Sequence, residues 1–306
     1  MRALVTGATG FVGRRLLEQI DDPVMLSRDP DRARQMFDGA TLHRWEPMEG
    51  PPPAAAFDGV EAVFHLAGDS IGEGRWTEAK KRRIRASRVI GTENLVRGLA
   101  AARSRPKVLV SASAIGFYGS RGDEVLTEQS AAGDDFLAQV CQAWEEASRG
   151  AEPLGVRVVN PRIGVVLGEQ GGALAKMLLP FRLGLGGRLG SGRQWMSWVH
   201  LDDLIGLMLH GVRHGEIVGA MNAVAPEPVM NRDFTRTLAE VLHRPAVLPA
   251  PAIGLRLMLG EFADVLLGSQ RVTSTVAEKT GYRFVHPRLR GALESAVLGQ
   301  PAEASH

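Results

Sequence analysis

Along the first half of the chain, short unbroken apolar runs alternate with stretches whose apolar residues recur every three or four positions. Residues 3–5 form an apolar run that stops at a glycine, which predicts a buried strand. Residues 11–20 place Phe11, Leu16, Leu17 and Ile20 at helical spacing. Residues 24–26 and 62–66 predict two more strands, the second after the turn at Asp58-Gly59. Residues 78–102 predict a long helix, and 108–110 and 156–159 further strands. Strands alternating with helices imply right-handed crossovers and a parallel sheet. Runs without polar alternation suit strands covered on both faces. The pattern therefore predicts an α/β protein with a doubly wound parallel sheet.

Beyond about residue 160 the texture changes. Residues 164–192 are rich in glycine, with pairs at Gly171-Gly172 and Gly186-Gly187. Low complexity or loops around a ligand would both fit, and the interspersed Met177, Leu178, Leu179, Phe181 and Leu183 argue for packed structure over a free linker. Residues 203–211 and 231–242 predict helices, 245–251 a proline-rich connector, and 255–267 a helical apolar stretch. A small tail runs to about Val297, and 300–306 are expected to fray.

Composition narrows this picture by exclusion. The chain has 306 residues, 44% of them hydrophobic and 23% charged, with net charge +2. No strong field argues for nucleic acid or membrane. Cys141 is the single cysteine, so no intramolecular disulfide forms, which fits a reducing compartment. The N-terminus lacks a signal-peptide pattern and no apolar run reaches membrane-spanning length, so a cytoplasmic protein is expected.

The chemistry begins at Gly7-Ala-Thr-Gly10-Phe-Val-Gly13, between the first predicted strand and helix. Gly7 permits a sharp turn, Gly10 lets backbone approach a pyrophosphate, and Gly13 lets the helix pack closely on the sheet. The helix N-terminus offers free N–H groups and the positive end of its dipole to phosphate. At the end of the second strand, an acidic residue would bind a free ribose 2′-hydroxyl. This chain has Ser27-Arg28 there, with Arg32 a turn later. Arginine suits a 2′-phosphate, so NADP(H) is the expected cofactor, although Asp29 and Asp31 lie close.

These residues resemble the extended short-chain dehydrogenase/reductase superfamily, the NAD-dependent epimerases and dehydratases. The likeness continues through 58–68, Gly91-Thr92, Ser111-Ala-Ser113 with Phe117-Tyr-Gly119, and Trp198-Val-His200-Leu-Asp-Asp203. Gly74-Arg-Trp-Thr77, Ser87-Arg88, Pro161-Arg-Ile-Gly164, 179–187 and 222–226 resemble an atypical epimerase-like subgroup with a small C-terminal domain. The resemblance implies a Rossmann-like NADP(H)-binding domain over 1–245, with partly interleaved substrate-side segments within 164–200 and 222–232. A small helical domain would follow over 249–297. It implies cofactor contacts at Gly7, Thr9, Gly10, Phe11, Val12 and Gly13, and at Ser27 and Arg28. Leu66, Ala67 and Gly68 would lie under the cofactor, Ser111 would contact it, and Pro161, Arg162 and Ile163 would pass close to its nicotinamide, with Arg162 lining the substrate side. Arg88, and more weakly Arg83, would reach in from the basic helix. Gly186, Gly187, Arg193, Gln194 and Trp195 lie where extended members bind the substrate head. The helices that begin at Glu78 and Asp134 are where such proteins commonly form homodimers.

One family signature is missing. Its chemistry uses a tyrosine with a lysine four residues on, whose charge lowers the phenol pKa from its usual value of about 10. Neither Tyr118 nor Tyr282 has such a lysine. The tyrosine site falls on Phe136 or Leu137, and the lysine site on Val140 or Cys141. Ser113, with Ser111 as an alternative, best matches the family's catalytic serine, and Tyr118 is a candidate proton donor. Asp134, Asp135 and Glu145 are candidate replacement acids, but read more plainly as caps or surface residues. Cys141 reads as core. His200 and Asp202 read as a strand end followed by an aspartate cap, not part of a triad. The eight histidines show no ligand spacing, so no metal site is expected. Two functions remain. One is an NADP(H)-dependent oxidoreductase or epimerase of atypical mechanism acting on a small molecule. The other is a non-catalytic NADP(H)-binding regulator or redox sensor on the same fold.

Overall fold

Seven parallel strands form the spine of the computed structural model, which describes residues 1–37 and 39–299; the tail end at 300–306 lies outside that range. They are β1 (Arg2–Thr6), β2 (Asp22–Ser27), β3 (Thr41–Arg44), β4 (Ala62–His65), β5 (Val108–Ser111), β6 (Arg157–Ile163) and β7 (Gly219–Ala223). Their spatial order is β3-β2-β1-β4-β5-β6-β7, and a short strand at Ser113–Ala114 also pairs with β6. The order reverses between β1 and β4, which is where a doubly wound sheet opens a crevice for ligand.

Alternation along each strand explains the two covered faces. Ala3, Val5, Phe64 and Val110 point to one side and join a core with Leu16 and Leu17 of helix α1 (Phe11–Leu17). Leu4, Val63 and Leu109 point to the other and meet Leu95 and Leu99 of helix α3 (Glu78–Ala101). Each valine, leucine or phenylalanine among them contributes about 1.5–3 kcal/mol on leaving water.

Several elements depart from the sequence pattern. Helix α2 (Pro30–Met36) and β3 are short and polar, so periodicity misses them; α2 is set by Asp29, which accepts from the Arg32 amide, and by Pro30. The glycine-rich stretch contains a strand at Val165–Leu167 and helix α5 (Gly172–Arg182). Between them and the tail lie α4 (Phe136–Arg149), α6 (Leu201–Arg213) and α7 (Asn231–Leu242). The apolar stretch at 255–267 is two helices, α8 (Ala252–Leu259) and α9 (Phe262–Leu267), broken at Gly260 with φ +61°. The tail ends in α10 (Thr275–Lys279) and α11 (Leu289–Leu298). Leu289 and Leu293 of α11 share a core with Leu178 of α5 and Phe234 of α7. No described helix is long and apolar enough to cross a membrane.

Candidate functional site

The turn after β1 has no room for side chains. Gly7 has φ +70°, and a Cβ on it would lie 2.8 Å from the Leu66 carbonyl carbon. A Cβ on Gly13 would lie 2.4 Å from the Gly7 oxygen, and one on Gly10 3.1 Å from the same atom. The Gly7 oxygen accepts from the Gly10 amide at 3.0 Å, which closes the turn. Gly10 caps α1 without a side-chain bond, so the amides of Phe11, Val12 and Gly13 have no intrahelical acceptor. Thr9 and Gly10 are exposed. The ring of Phe11 packs against the loop before α5, where a Cβ on Gly168 or Gly171 would come within 2.5 Å of it.

At the end of β2, Arg28 is exposed. The neighbouring carboxylates do not neutralise it: Asp29 caps α2, and Asp31 pairs with Arg34 at 3.1 Å. The Ser27 hydroxyl bonds within its own turn, donating to the Asp29 oxygen. Arg44, which sequence reasoning passed over, stands beside Ser27 in the β2–β3 register and is also exposed.

Beneath the loop after β4 runs a chain of buried hydroxyls and one imidazole. Thr92 Oγ1 donates to the Arg88 carbonyl, so it accepts from His65 Nε2 at 2.9 Å. His65 Nδ1 then accepts from Thr6 Oγ1 at 2.7 Å, and Thr6 Oγ1 accepts the amides of Leu66 and Ala67. Burial pushes the His65 pKa down to about 4, so the ring is neutral near pH 7. Leu66 and Ala67 are thus held by a network whose centre, His65, looks like any strand residue in the sequence.

Arg88 lies against this loop. Its guanidinium would be 3.2 Å from a Cβ on Gly68, donates to the Asp69 carbonyl at 3.0 Å, and stands 5.0 Å from the Trp144 ring. Burial lowers its pKa. Arg83 is elsewhere: it is 70% exposed and pairs loosely with Asp69 at 3.6 Å, while the buried Lys80 holds the same carboxylate at 2.9 Å. Ser111 Oγ and Trp144 Nε1 are buried without a partner. Ser111 neighbours His65 across the sheet, so both orphans lie near the corner where β5 meets α3 and α4.

The two residues that sequence reasoning puts at the chemistry are instead interior. Ser113 Oγ donates to Glu145 Oε1 at 2.7 Å. Both oxygens of Glu145 are held by Arg162, from Nε at 2.8 Å and Nη2 at 2.9 Å, with side chains only 6% and 3% exposed. Arg162 Nη1 donates to the Tyr118 hydroxyl at 3.0 Å, which donates to Asn222 Oδ1 at 2.6 Å. Tyr118 has no exposed surface, and burial raises its pKa. Two readings are therefore corrected. Glu145 is no surface residue, and the Arg162 side chain does not line the substrate side: stacked 3.4 Å from the Phe117 ring, it neutralises a buried carboxylate. Pro161 is buried and Ile163 half-buried along the same strand.

Phe136, one of the two positions expected to replace the family's tyrosine, belongs to an aromatic wall. Phe136 meets Trp76 edge-on at 5.3 Å, and Trp76 meets Phe262 of α9 at 5.7 Å. Lys81 Nζ lies 5.7 Å from the Phe136 ring and pairs with Glu261 at 3.0 Å. Of the residues assigned to the substrate head, Trp195 bonds Asp123 and carries Arg271 on its ring at 4.5 Å. Gln194 is buried, and Gly187 passes too close to the Leu248 carbonyl for any Cβ. Asp135 caps α4, as expected. Cys141 is core, its thiol pushed up to about 12 by burial.

Elsewhere the structure groups residues that the sequence separates. His200 itself caps α6, accepting from the Asp202 amide, where the sequence suggests an aspartate cap. His200, Asp202 and His286 come together despite the lack of any ligand spacing. A cavity of about 830 Å³ lies far from the glycine turn, along α7, bordered by Arg188, Arg232, Arg236 and Arg290. Its rim is exposed arginine, much of it paired with Asp233 and Glu240, whereas the turn combines steric necessity with unpaired amides. The turn is therefore the better cofactor candidate.

Comparison with known proteins bears on the same residues. The profile of the NAD dependent epimerase/dehydratase family matches residues 3–223, and that of a domain of unknown function, DUF1731, matches 250–296. The chloroplastic epimerase family protein SDR39U1 homolog of Arabidopsis thaliana is 39% identical over 303 residues, covering 97% of this chain and 87% of that protein. Epimerase family protein YfhF of Bacillus subtilis is 37% identical, covering 97% and 98%. The crystal structure of human epimerase family protein SDR39U1 with NADPH superposes with a TM-score of 0.86 at 32% identity, covering 98% of this chain and all of that one.

Proposed function

The chain belongs to the NAD-dependent epimerase/dehydratase family, and from that premise we propose that it holds NADP(H) across the ends of β1, β2, β4, β5 and β6 and supports hydride exchange with a small molecule by orientation, without a tyrosine–lysine pair. The observation that carries this reading is the cradle at Gly7 and Gly13, which a Cβ would fill, beside three amides free to take a pyrophosphate. A human relative crystallised with NADPH supports the choice of cofactor. Arg28 and Arg44 would hold the 2′-phosphate, and Thr9 and Gly10 would pass beside the pyrophosphate. Leu66, Ala67 and Gly68 would lie under the adenosine half, and Pro161 and Ile163 beside the nicotinamide.

The nicotinamide would supply the hydride. The chain's part is to bind, orient and exclude water. Arg88 would place its charge near the nicotinamide ribose. Ser111 Oγ, an unpartnered hydroxyl at the same corner, would orient a substrate oxygen. Trp76, Phe136 and Phe262 would form the water-excluding wall.

A second reading, an NADP(H)-binding regulator without turnover, draws on one observation: the hydroxyls of Ser113 and Tyr118 are both spent inside the Glu145–Arg162 network. Calorimetric titration tests the shared premise. NADPH should bind at least tenfold more tightly than NADH, and Arg28→Ser should erase that preference. Binding of neither nucleotide, or tighter NADH, sinks it. NADPH absorbance over a panel of carbonyl compounds separates the readings. Turnover that Ser111→Ala cuts tenfold supports orientation chemistry; intact binding with no turnover supports the regulator.

A further inference from the structure

The cavity along α7 is one-sided in charge. Arg188, Arg232, Arg236, Arg244 and Arg290 border its volume of about 830 Å³, and Glu240 is the one carboxylate among its described lining residues. Such a volume lies within the range of small-molecule sites, about 300–1,000 Å³. A Cβ on Gly192 would lie 3.1 Å from Arg188 Cδ and 3.1 Å from Arg232 Cβ, so both arginines flank the same turn. Arg232 and Arg236 stand four residues apart on α7, a like-charge spacing that weakens a helix. The nearby carboxylates answer only part of this charge. Asp233 pairs with Arg236 at 3.1 Å and loosely with Arg232 at 3.8 Å, and Glu240 pairs with Arg290. Arg188 is exposed and makes no ion pair among the described residues. Arg244 donates from Nε and Nη1 to the carbonyls of Arg182 and His243, which leaves Nη2 without an acceptor among the described residues.

A second observation lies on the inner side of the same cavity. Thr235 lines it, is only 4% exposed, and has a hydroxyl that bonds nothing among the described residues. Two residues on, Thr237 spends its hydroxyl on the Asp233 carbonyl at 2.9 Å, a common outlet for a helical threonine. Thr235 makes no such bond. Burying an unanswered hydroxyl is costly, so a buried orphan beside a cavity marks a place for a ligand to complete.

We propose that this cavity binds a small phosphorylated molecule, distinct from the nucleotide held at the glycine turn. Arg188 and Arg244 hold its phosphate or diphosphate, and Thr235 Oγ1 donates to it from within. Guanidinium forks match phosphate oxygens two at a time, and an anion of multiple charge offsets the crowding of five arginines. Ala239, Ala246, Val247 and Pro249 complete the wall and suit an apolar body behind the phosphate.

Calorimetric titration of the full chain with inorganic pyrophosphate, at an ionic strength that screens stray surface charge, tests the site. The chain should show binding that Arg188→Gln combined with Arg244→Gln weakens at least tenfold. Arg103→Gln combined with Arg213→Gln removes as much charge from exposed positions elsewhere and should leave that affinity within threefold. Saturating NADPH should leave the pyrophosphate site open. Thr235→Val should weaken pyrophosphate at least threefold without lowering the melting temperature of the ligand-free chain, because no bond to the hydroxyl is lost. The site is overturned if pyrophosphate does not bind, if the distant pair weakens it as much as the Arg188 and Arg244 pair, or if NADPH abolishes it. Thr235→Val melting lower with its affinity unchanged overturns it too. So does tighter binding of a polyglutamate peptide than of pyrophosphate, which assigns the arginines to a protein partner.

Discussion

The cofactor turn and the buried network behind β6 solve opposite problems with polar groups. At the start of α1 the amides of Phe11, Val12 and Gly13 have no intrahelical acceptor, and glycine clears the space around the turn in front of them. Around Arg162, the charged and hydroxyl groups of Ser113, Glu145 and Tyr118 are each answered by a neighbour, and none reaches the surface. Unsatisfied donors persist where a ligand is to complete them, whereas saturated ones hold strands together. The residue types alone suggest the reverse, because serine and tyrosine look like chemistry and glycine looks like a spacer.

The contrast can be broken most severely at Arg162. Arg162→Ala leaves Glu145 charged and buried, and should cost about 3–5 kcal/mol of stability in urea unfolding, with the NADPH affinity of the folded fraction unchanged within threefold. A large loss of affinity would place this network in the site itself. Gly13→Ala tests the other region. Its Cβ collides with the Gly7 oxygen, so NADPH affinity should fall at least hundredfold, about 3 kcal/mol. An affinity within threefold of the parent would move the cofactor elsewhere.

His65 gives a pH signature. Its folded pKa is about 4 against an ordinary 6.5, so the unfolded chain takes up the proton first on acidification. The stability it contributes is complete above about pH 7 and is lost as pH falls from 6.5 toward 4. The full loss is about 3 kcal/mol. His65→Gln should flatten unfolding free energy over that window; an unchanged slope assigns the acid sensitivity to other groups. The mildest change is Tyr118→Phe, which removes the bonds to Asn222 and Arg162. It should cost about 1–2 kcal/mol and leave cofactor binding and any turnover intact. A selective loss of turnover would restore Tyr118 as a proton donor.

What the sequence reveals follows the range of the interactions. The turn is legible because strand, glycines and helix fall within the first seventeen residues. Five strands of the sheet are legible because their centres are buried on both faces and therefore apolar, whereas β7, Gly219–Ala223, escapes notice because it is short and holds Asn222. β3 escapes notice because Thr41–Arg44 is half polar, although Asp29-Pro30 already announces α2 in front of it. Glu145 and Arg162, or Tyr118 and Asn222, pair across long stretches of chain through the β6 and β7 register. No local periodicity encodes such pairs. His200 and His286 share this character, meeting beside Asp202 only through the fold.

The chain's one cysteine adds a constraint on how any such protein could listen to its surroundings. With its thiol pushed up to about 12 and buried in α4, Cys141 stays protonated at pH 7. Oxidants and electrophiles that act through a thiolate therefore find almost nothing here to modify. A changed ratio of NADPH to NADP+ would instead reach the protein through the nucleotide it holds.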